Sequence, residues 1–468
     1  MPNINIRRRI RPTAHAETSA PPAVALSNFA NRNLEISFLR VAELKLPARQ
    51  LRKHSQKQVQ QIAASIARFG FNTPVIIDDD NQVVAGVGRV LAAPHAGVDR
   101  IPVVRLCHLS AAELRAYAIA ENRLAEKSTW DDELLALELS ELGGMDLDFD
   151  LELTGFGTAE IDIIIGGERD HQSNEDDQIE PVSEGPPISR RGDLWRVGRH
   201  LLLCGDAREQ QDYDTLMGAD KAQMVFTDPP YNVKIGGNVC GLGSISHDEF
   251  AMASGEMTPA QFTEFLSESF ACMVAASSDG AIHFACMDWR HMSEMMVAGG
   301  RHYSALKNLI VWNKANAGMG AFYRSKHELV FVWKVGSAEH INTFGLGGSG
   351  RYRTNVWDYA GITSASIDRL EQLAMHPTVK PVALVADAIK DCSRRGDIIL
   401  DPFSGSGTTI LAAERTGRIA RAIEFEPKYV DATLRRLERT AGIAATLGNT
   451  GLTLCEVAVQ RSNEGRNA

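Results

Sequence analysis

Ile398-Ile399-Leu400-Asp401-Pro402-Phe403-Ser404-Gly405-Ser406-Gly407-Thr408-Thr409 is the stretch on which the fold turns. Three apolar residues read as a buried strand. Gly405 and Gly407 let the backbone turn tightly and come close to a ligand, and Thr408 opens a helix. Strand, glycine loop and helix in that order form one unit of a doubly wound sheet. The same alternation runs outward from Gly192 to Arg439. Strands are expected at His200–Cys204, Gln223–Thr227, Ala281–Ala285, Leu309–Trp312, Leu329–Trp333, Ile398–Leu400 and Arg418–Ile423. Helices are expected at Pro259–Ala275, Trp289–Ala298, Pro381–Ser393, Thr408–Arg415 and Pro427–Arg439. This predicts an α/β, Rossmann-like, mostly parallel sheet with ligands at the carboxyl ends of its strands.

The loop departs from a dinucleotide fingerprint. No third glycine follows, and Asp401 sits where it would repel a pyrophosphate. An acid there suits a ligand with positive charge, such as a sulfonium and an α-amino group. Glu424 ends the next strand, 23 residues on. There it is placed to accept hydrogen bonds from ribose hydroxyls.

A second constellation, Thr227-Asp228-Pro229-Pro230-Tyr231, follows the apolar Met224-Val225-Phe226. Consecutive prolines stiffen a turn and remove backbone donors, leaving the carbonyls of Asp228 and Pro229 as outward acceptors. An amino group on a base has two hydrogens to give, and its lone pair is delocalised into the ring. A carboxylate and a fixed carbonyl that accept both hydrogens help the nitrogen become tetrahedral and nucleophilic. Tyr231 offers a face on which an unstacked base can lie. The plainer reading of these residues is a rigid turn with a packed tyrosine.

Together, Asp228-Pro229-Pro230-Tyr231 and Asp401-Pro402-Phe403-Ser404-Gly405-Ser406-Gly407-Thr408 resemble the DNA amino-methyltransferases over about residues 192–440. The target-amine motif precedes the cofactor loop, which is the order of the β group with its CcrM-like members. The resemblance implies methyl transfer from S-adenosylmethionine to adenine N6, or alternatively to cytosine N4, in double-stranded DNA. Asp228 rather than serine before Pro-Pro points to adenine. The resemblance places Phe403, Gly405, Gly407 and Thr408 around S-adenosylmethionine, with Asp401 at its methionine part and Glu424 at the ribose. Asp206, in Cys204-Gly205-Asp206, matches an acid near the cofactor's adenine. His376-Pro377-Thr378-Val379-Lys380-Pro381 matches a cofactor-side motif, with Lys380 suited to the methionine carboxylate. Between Trp333 and Met375, where the family reads its recognition sequence, Arg351 and Arg353 are candidate DNA contacts. The glycines of Asn232–Pro259 suit a loop that closes over flipped DNA.

Residues 35–125 read as a smaller α+β module. Its helix is Gln58–Phe69 and its strands are Val75–Ile77, Val83–Ala85 and Ile101–Leu106, with a second helix from Val90. Pro74-Val75-Ile76, Ala85-Gly86-Val87-Gly88-Arg89 and Glu121-Asn122-Arg123 resemble the ParB/sulfiredoxin-like fold. Val90 stands where nucleotide-binding members carry a second arginine, and the sulfiredoxin cysteine is missing. A DNA-docking or assembly role is therefore the default for Gly86, Gly88 and Arg89. A ParB-like partition protein with a non-catalytic methyltransferase fold is the reading from another class.

The expected divisions are a disordered tail (1–34), this module (35–125), a helical extension (126–167), an acidic linker (168–191), the methyltransferase-like domain (192–440) and a C-terminal tail (441–468). The net charge of −10 argues against a nucleic-acid partner, but removing the seven acids and one base of Glu168–Glu184 leaves −4. Seven cysteines without a CxxC pair read as reduced thiols in a cytoplasmic protein, with no metal site. No run of 18 apolar residues predicts a membrane span. A homodimer is a candidate assembly, and no restriction partner is visible.

Overall fold

The computed structural model describes residues 34–145, 147–166, 176–179, 182–183, 185–233, 255–314, 322–344, 353–360 and 379–467. The chain divides into two compact units, Met1–Thr129 with Leu153–Gly155, and Trp130–Glu152 with Phe156–Ala468.

In the first unit the elements are β1 (Ile36–Arg40), α1 (Gln56–Phe69), β2 (Val75–Ile77), β3 (Val83–Ala85), α2 (Val87–Ala92), β4 (Arg100–Arg105) and α3 (Ala111–Ala125). The sheet order is β1-β4-β2-β3, with β2 parallel to β4 and the other pairs antiparallel. Ser55 caps α1 by accepting a hydrogen bond from the Gln58 amide at 3.1 Å. Val75, Ile77, Val83, Ile101 and Val103 alternate inward and form the core with Val90 and Ala93. The second helix starts three residues before the expected Val90, because Gly86 adopts φ 97° and turns the chain straight off β3. Strand β1 was not foreseen. It is mostly exposed, so it carries no apolar alternation to read.

The second unit holds α4 (Asp132–Gly144), α5 (Thr158–Gly166), β5 (Leu194–Val197), β6 (His200–Cys204), α6 (Gln210–Met217), β7 (Ala222–Thr227), α7 (Pro259–Ala275) and β8 (Ser277–Met287). It continues with α8 (Met292–His302), β9 (Ala305–Asn313), β10 (His327–Lys334), β11 (Val356–Asp358), α9 (Val382–Cys392), β12 (Ile398–Asp401), α10 (Thr408–Thr416), β13 (Ile419–Glu424), α11 (Pro427–Ala441), β14 (Ala445–Leu447) and α12 (Leu454–Asn467). The sheet order is β11-β9-β10-β8-β7-β12-β13-β6-β5-β14. It is parallel from β8 through β6. Around β10 and β5 the pairings are antiparallel, so the sheet is mixed where a mostly parallel one was expected. Helices bury apolar faces on both sides of it: α9, α10 and α11 pack into one core, α6, α7 and α8 into the other.

Parts of the expected C-terminal tail and acidic linker pack into this unit. The stretch 441–468 is no free tail, since β14 pairs with β5 and Leu454 and Val457 are buried. Within the acidic stretch, Asp176 pairs with Arg415 at 2.7 Å. Farther along, the amides of Ile188 and Ser189 donate to Asp431. Upstream, Leu139, Leu151 and Ile161 form a small core. Asp162 of α5, fully buried, accepts two hydrogen bonds from the equally buried Arg418, both at 2.8 Å.

Candidate active site

Strands β6, β13, β12 and β7 lie side by side and parallel, so their carboxyl ends bring together four motifs that the sequence holds far apart. The contact is direct. Thr227, at the end of β7, donates to Asp401, at the end of β12, at 3.2 Å. The Gly405 amide donates to Glu424, at the end of β13, at 2.8 Å. The Gly205 amide, after β6, reaches the Glu424 carbonyl at 2.9 Å.

The cofactor-loop half is a cup of buried carboxylates and backbone. Asp401 accepts from Thr227 and the Phe403 amide, and Glu424 from the amides of Gly405 and Glu426. These partners are neutral, so burial dominates and raises both carboxyl groups to about 7. Gly407 begins α10 at φ 78°, and a Cβ on it would stand 2.4 Å from Thr433 Cγ2. A left-handed backbone and a crowded wall both demand glycine there. Asp206 differs from the other two acids. Burial pushes its carboxyl up, but hydrogen bonds from the Arg208 side chain and amide bring it below the usual range. Phe403 faces Phe265 with ring centroids 6.0 Å apart. Arg436 was not foreseen. Buried beneath the loop, it donates to the Ser406 carbonyl at 2.9 Å and to Thr408 at 3.2 Å.

In the target-amine half, the Tyr231 hydroxyl donates to Asp228 Oδ1 at 2.6 Å. Lys380 Nζ donates to Asp228 Oδ2 at 2.5 Å and lies 3.0 Å from Glu328 Oε2 and 5.5 Å from the Tyr231 ring centre. Lys380, expected at the methionine carboxylate of the cofactor, is thus paired with Asp228 and Glu328. Its ammonium faces the buried Glu328 and the half-buried Asp228, which compensates its own burial. Glu328 on β10, which the sequence reading missed, also accepts from Lys314. Burial pushes Glu328 up, yet Lys380 and Lys314 outweigh it and hold the carboxyl at about 2. Burial keeps Asp228 above the carboxylate range, with Lys380 opposing the shift and Glu328 adding to it. Lys380 itself is driven upward: the two carboxylates overcome a desolvation that alone would lower it. Asn232, in the left-handed region at φ 51°, accepts from the amides of Gly255 and Met257 and fixes the exit from this turn.

Arg353 is not an open DNA contact. It donates to Asp391 at 2.9 Å and to the Tyr359 hydroxyl at 3.1 Å, and its guanidinium lies 4.8 Å from the Trp357 ring centre. Two acids on α9, Asp387 and Asp391, draw it inward. Arg351, His376, Pro377, Thr378 and the glycines at 236, 237, 241 and 243 lie outside the described residues. In the first unit, Gly86, Gly88 and Arg89 line an open cavity of about 1060 Å³ together with Arg52, His54, Glu121 and Asn122. Arg89 donates to the carbonyls of Thr73 and Pro74. Among the described residues no group of three or more His, Cys, Asp or Glu could hold a metal, and no helix is long and apolar enough to cross a membrane.

A parallel-centred sheet thus brings a glycine loop after β12 and an Asp-Pro-Pro-Tyr turn after the neighbouring β7 together across one strand boundary. Residues 222–435 match the DNA methylase family of N6 and N4 enzymes, 27–123 the ParB N-terminal domain and 133–191 the ParB-methyltransferase HTH domain. The chain thus carries an N6/N4 DNA methylase domain behind a ParB N-terminal domain and a ParB-methyltransferase HTH domain. It is 39% identical over 92 residues to the type II methyltransferase M.ScaI of Streptomyces caespitosus, spanning 20% of this chain and 30% of that protein. To the DNA adenine methyltransferase YhdJ of Escherichia coli (strain K12) it is 27% identical over 246 residues, 47% of this chain and 77% of the relative. Among solved structures, the M1.HpyAVI–SAM complex is 21% identical with a TM-score of 0.37, covering 50% of this chain and 98% of that one.

Proposed function

We propose that the chain methylates N6 of an adenine flipped out of double-stranded DNA, using S-adenosylmethionine. The observation that carries this is the adjacency of the two motifs, sealed by the Thr227–Asp401 hydrogen bond at 3.2 Å. The residues present fit the cofactor. Asp401 and Glu424 are buried acids held by neutral donors, a setting that favours a cationic ligand bearing hydroxyls. Asp401 would face the methionine part, Glu424 the ribose and Asp206 the adenine, with Phe403, Gly405, Gly407 and Thr408 forming the wall. When bound, S-adenosylmethionine supplies an electrophilic methyl group on a sulfonium.

The chain's own residues do the rest. Tyr231 gives the flipped base a stacking face. Asp228 accepts one amino hydrogen and the Pro229 carbonyl the other, while Pro230 stiffens the turn, so the nitrogen lone pair is freed along the line of attack. Positioning supplies much of the rate. Burial raises the proton affinity of Asp228. Its carboxylate is therefore suited to receive the proton that nitrogen sheds as the new bond forms. The ammonium of Lys380 occupies that carboxylate before a base arrives, donating where the amino group would donate.

Adenine rather than cytosine is favoured by aspartate before the proline pair and by the adenine methyltransferase among the relatives. The ParB-like and HTH segments are assigned to DNA docking. Asp228→Ala is expected to abolish methylation while S-adenosylmethionine still binds, as read by methyl incorporation and calorimetry. Wild-type turnover in that variant would remove Asp228 from the mechanism. Mass spectrometry of nucleosides from the methylated DNA separates N6-methyladenine from N4-methylcytosine.

A further inference from the structure

Residues 322–326, which lead into β10, carry two side chains that the mechanism does not use. Phe322 is 89% exposed and Tyr323 82% exposed, whereas no other large apolar side chain among the described residues exceeds 67%. Their rings meet edge to face, with centroids 4.7 Å apart, so they stand together in solvent. Large aromatic surface left in water marks a binding surface more often than an accident of packing. The charges around the pair narrow the partner. Arg324 and Lys326 follow immediately, and both are exposed. The Lys314 amide donates to the Lys326 carbonyl at 2.9 Å and closes the foot of the connection. Lys314 itself pairs with Glu328, which also contacts Lys380 of the amine site. A chain of net charge −10 therefore presents, within six residues of Glu328, two bare aromatics followed by two cations. Aromatic faces interleaved with positive charge are what stacked bases and their phosphates require.

We propose that Phe322 and Tyr323 engage the DNA duplex at the extruded base. The rings enter or cover the gap in the base stack, while Arg324 and Lys326 meet the flanking phosphates. Extruding a base forfeits stacking on both neighbours, and an inserted side chain restores part of it. Tyr231 donates to Glu328 at 3.2 Å, so the aromatic pair lies at most six residues along the chain from a side chain that touches Tyr231. This inference rests on the methyltransferase reading above and adds to it the element that holds the duplex open.

The test uses the full chain with Phe322→Ala/Tyr323→Ala, on unmethylated plasmid DNA supplied either as duplex or after heat denaturation. Both side chains are so exposed that the fold has little stake in them, and calorimetric S-adenosylmethionine binding equal to wild type checks this. Loss of base stacking is expected to cut methylation of duplex DNA about tenfold. On denatured DNA, where no stack has to be opened, the variant is expected to stay within about twofold of wild type. Equal rates on duplex DNA would overturn the proposal. So would equal losses on both substrates, which would mark a general contact rather than an opening device. A wild-type chain inert on both forms would overturn the methyltransferase reading itself, and this inference with it.

Discussion

The carboxyl groups of Asp401 and Glu424 sit among neutral donors, and burial lifts both to about 7. Their protonated forms dominate below that pH, and a sulfonium ligand favours the ionised ones. Affinity for S-adenosylmethionine is therefore expected to rise about tenfold per ionising group between pH 6 and 8. For folding the sign runs the other way. These acids bind protons more tightly folded than unfolded, so their contribution is complete below about pH 4 and is lost as pH rises through 7. Calorimetric titration at several pH values checks the first expectation, and a flat profile across pH 6–8 would refute it. The expected strand ends at Asp401 and Glu424, and the turn of Asp228 and Tyr231 after β7, were legible from the apolar runs that precede them. Glu328 and Arg436 were not, because they reach the site from β10 and α11 through folding alone. The pairing of Arg353 was not legible because its partners, Asp387 and Asp391, lie more than 30 residues on, one turn apart on α9.

At the level of elements, the clearest lesson is the pair between α5 and the start of β13. Arg418 is completely buried, and Asp162 supplies the carboxylate that compensates it, with Arg395 adding a third charge at 3.2 Å. Removing one side of a buried ion pair strands the other. Asp162→Ala is expected to cost about 3–5 kcal/mol in chemical denaturation followed by circular dichroism. A loss below about 1 kcal/mol would show that water reaches Arg418. Long elements with a full cap were readable to the residue. Helix α7 runs Pro259–Ala275 as expected, because Thr258 caps it, Gln261 returns the hydrogen bond and Pro259 sits at its first position. Strands β5, β11 and β14 escaped notice: each is short and, unlike the equally short β2 and β3, is not a wholly apolar run.

For the molecule as a whole, order along the chain matters more than composition. The amine motif and the cofactor loop are separated by more than 170 residues yet end on adjacent strands, and only the sheet order explains how. From Asp131 to Glu168 there is no lysine or arginine at all, so in the HTH-matching segment positive charge is confined to Arg169, Arg190 and Arg191. The last residues belong to the fold rather than trailing from it. Truncation after Gly442 removes β14 and the buried Leu447, Leu454 and Val457. It is expected to lower Tm by several degrees, measurable by differential scanning calorimetry. An unchanged Tm would return the segment to the status of a tail. The two outermost strands, β11 and β14, are each three residues long. Each offers a neighbouring molecule too few unpaired backbone groups to template an added strand. Among the described residues, brevity at these rims is thus a safeguard against edge-to-edge aggregation of a broad sheet.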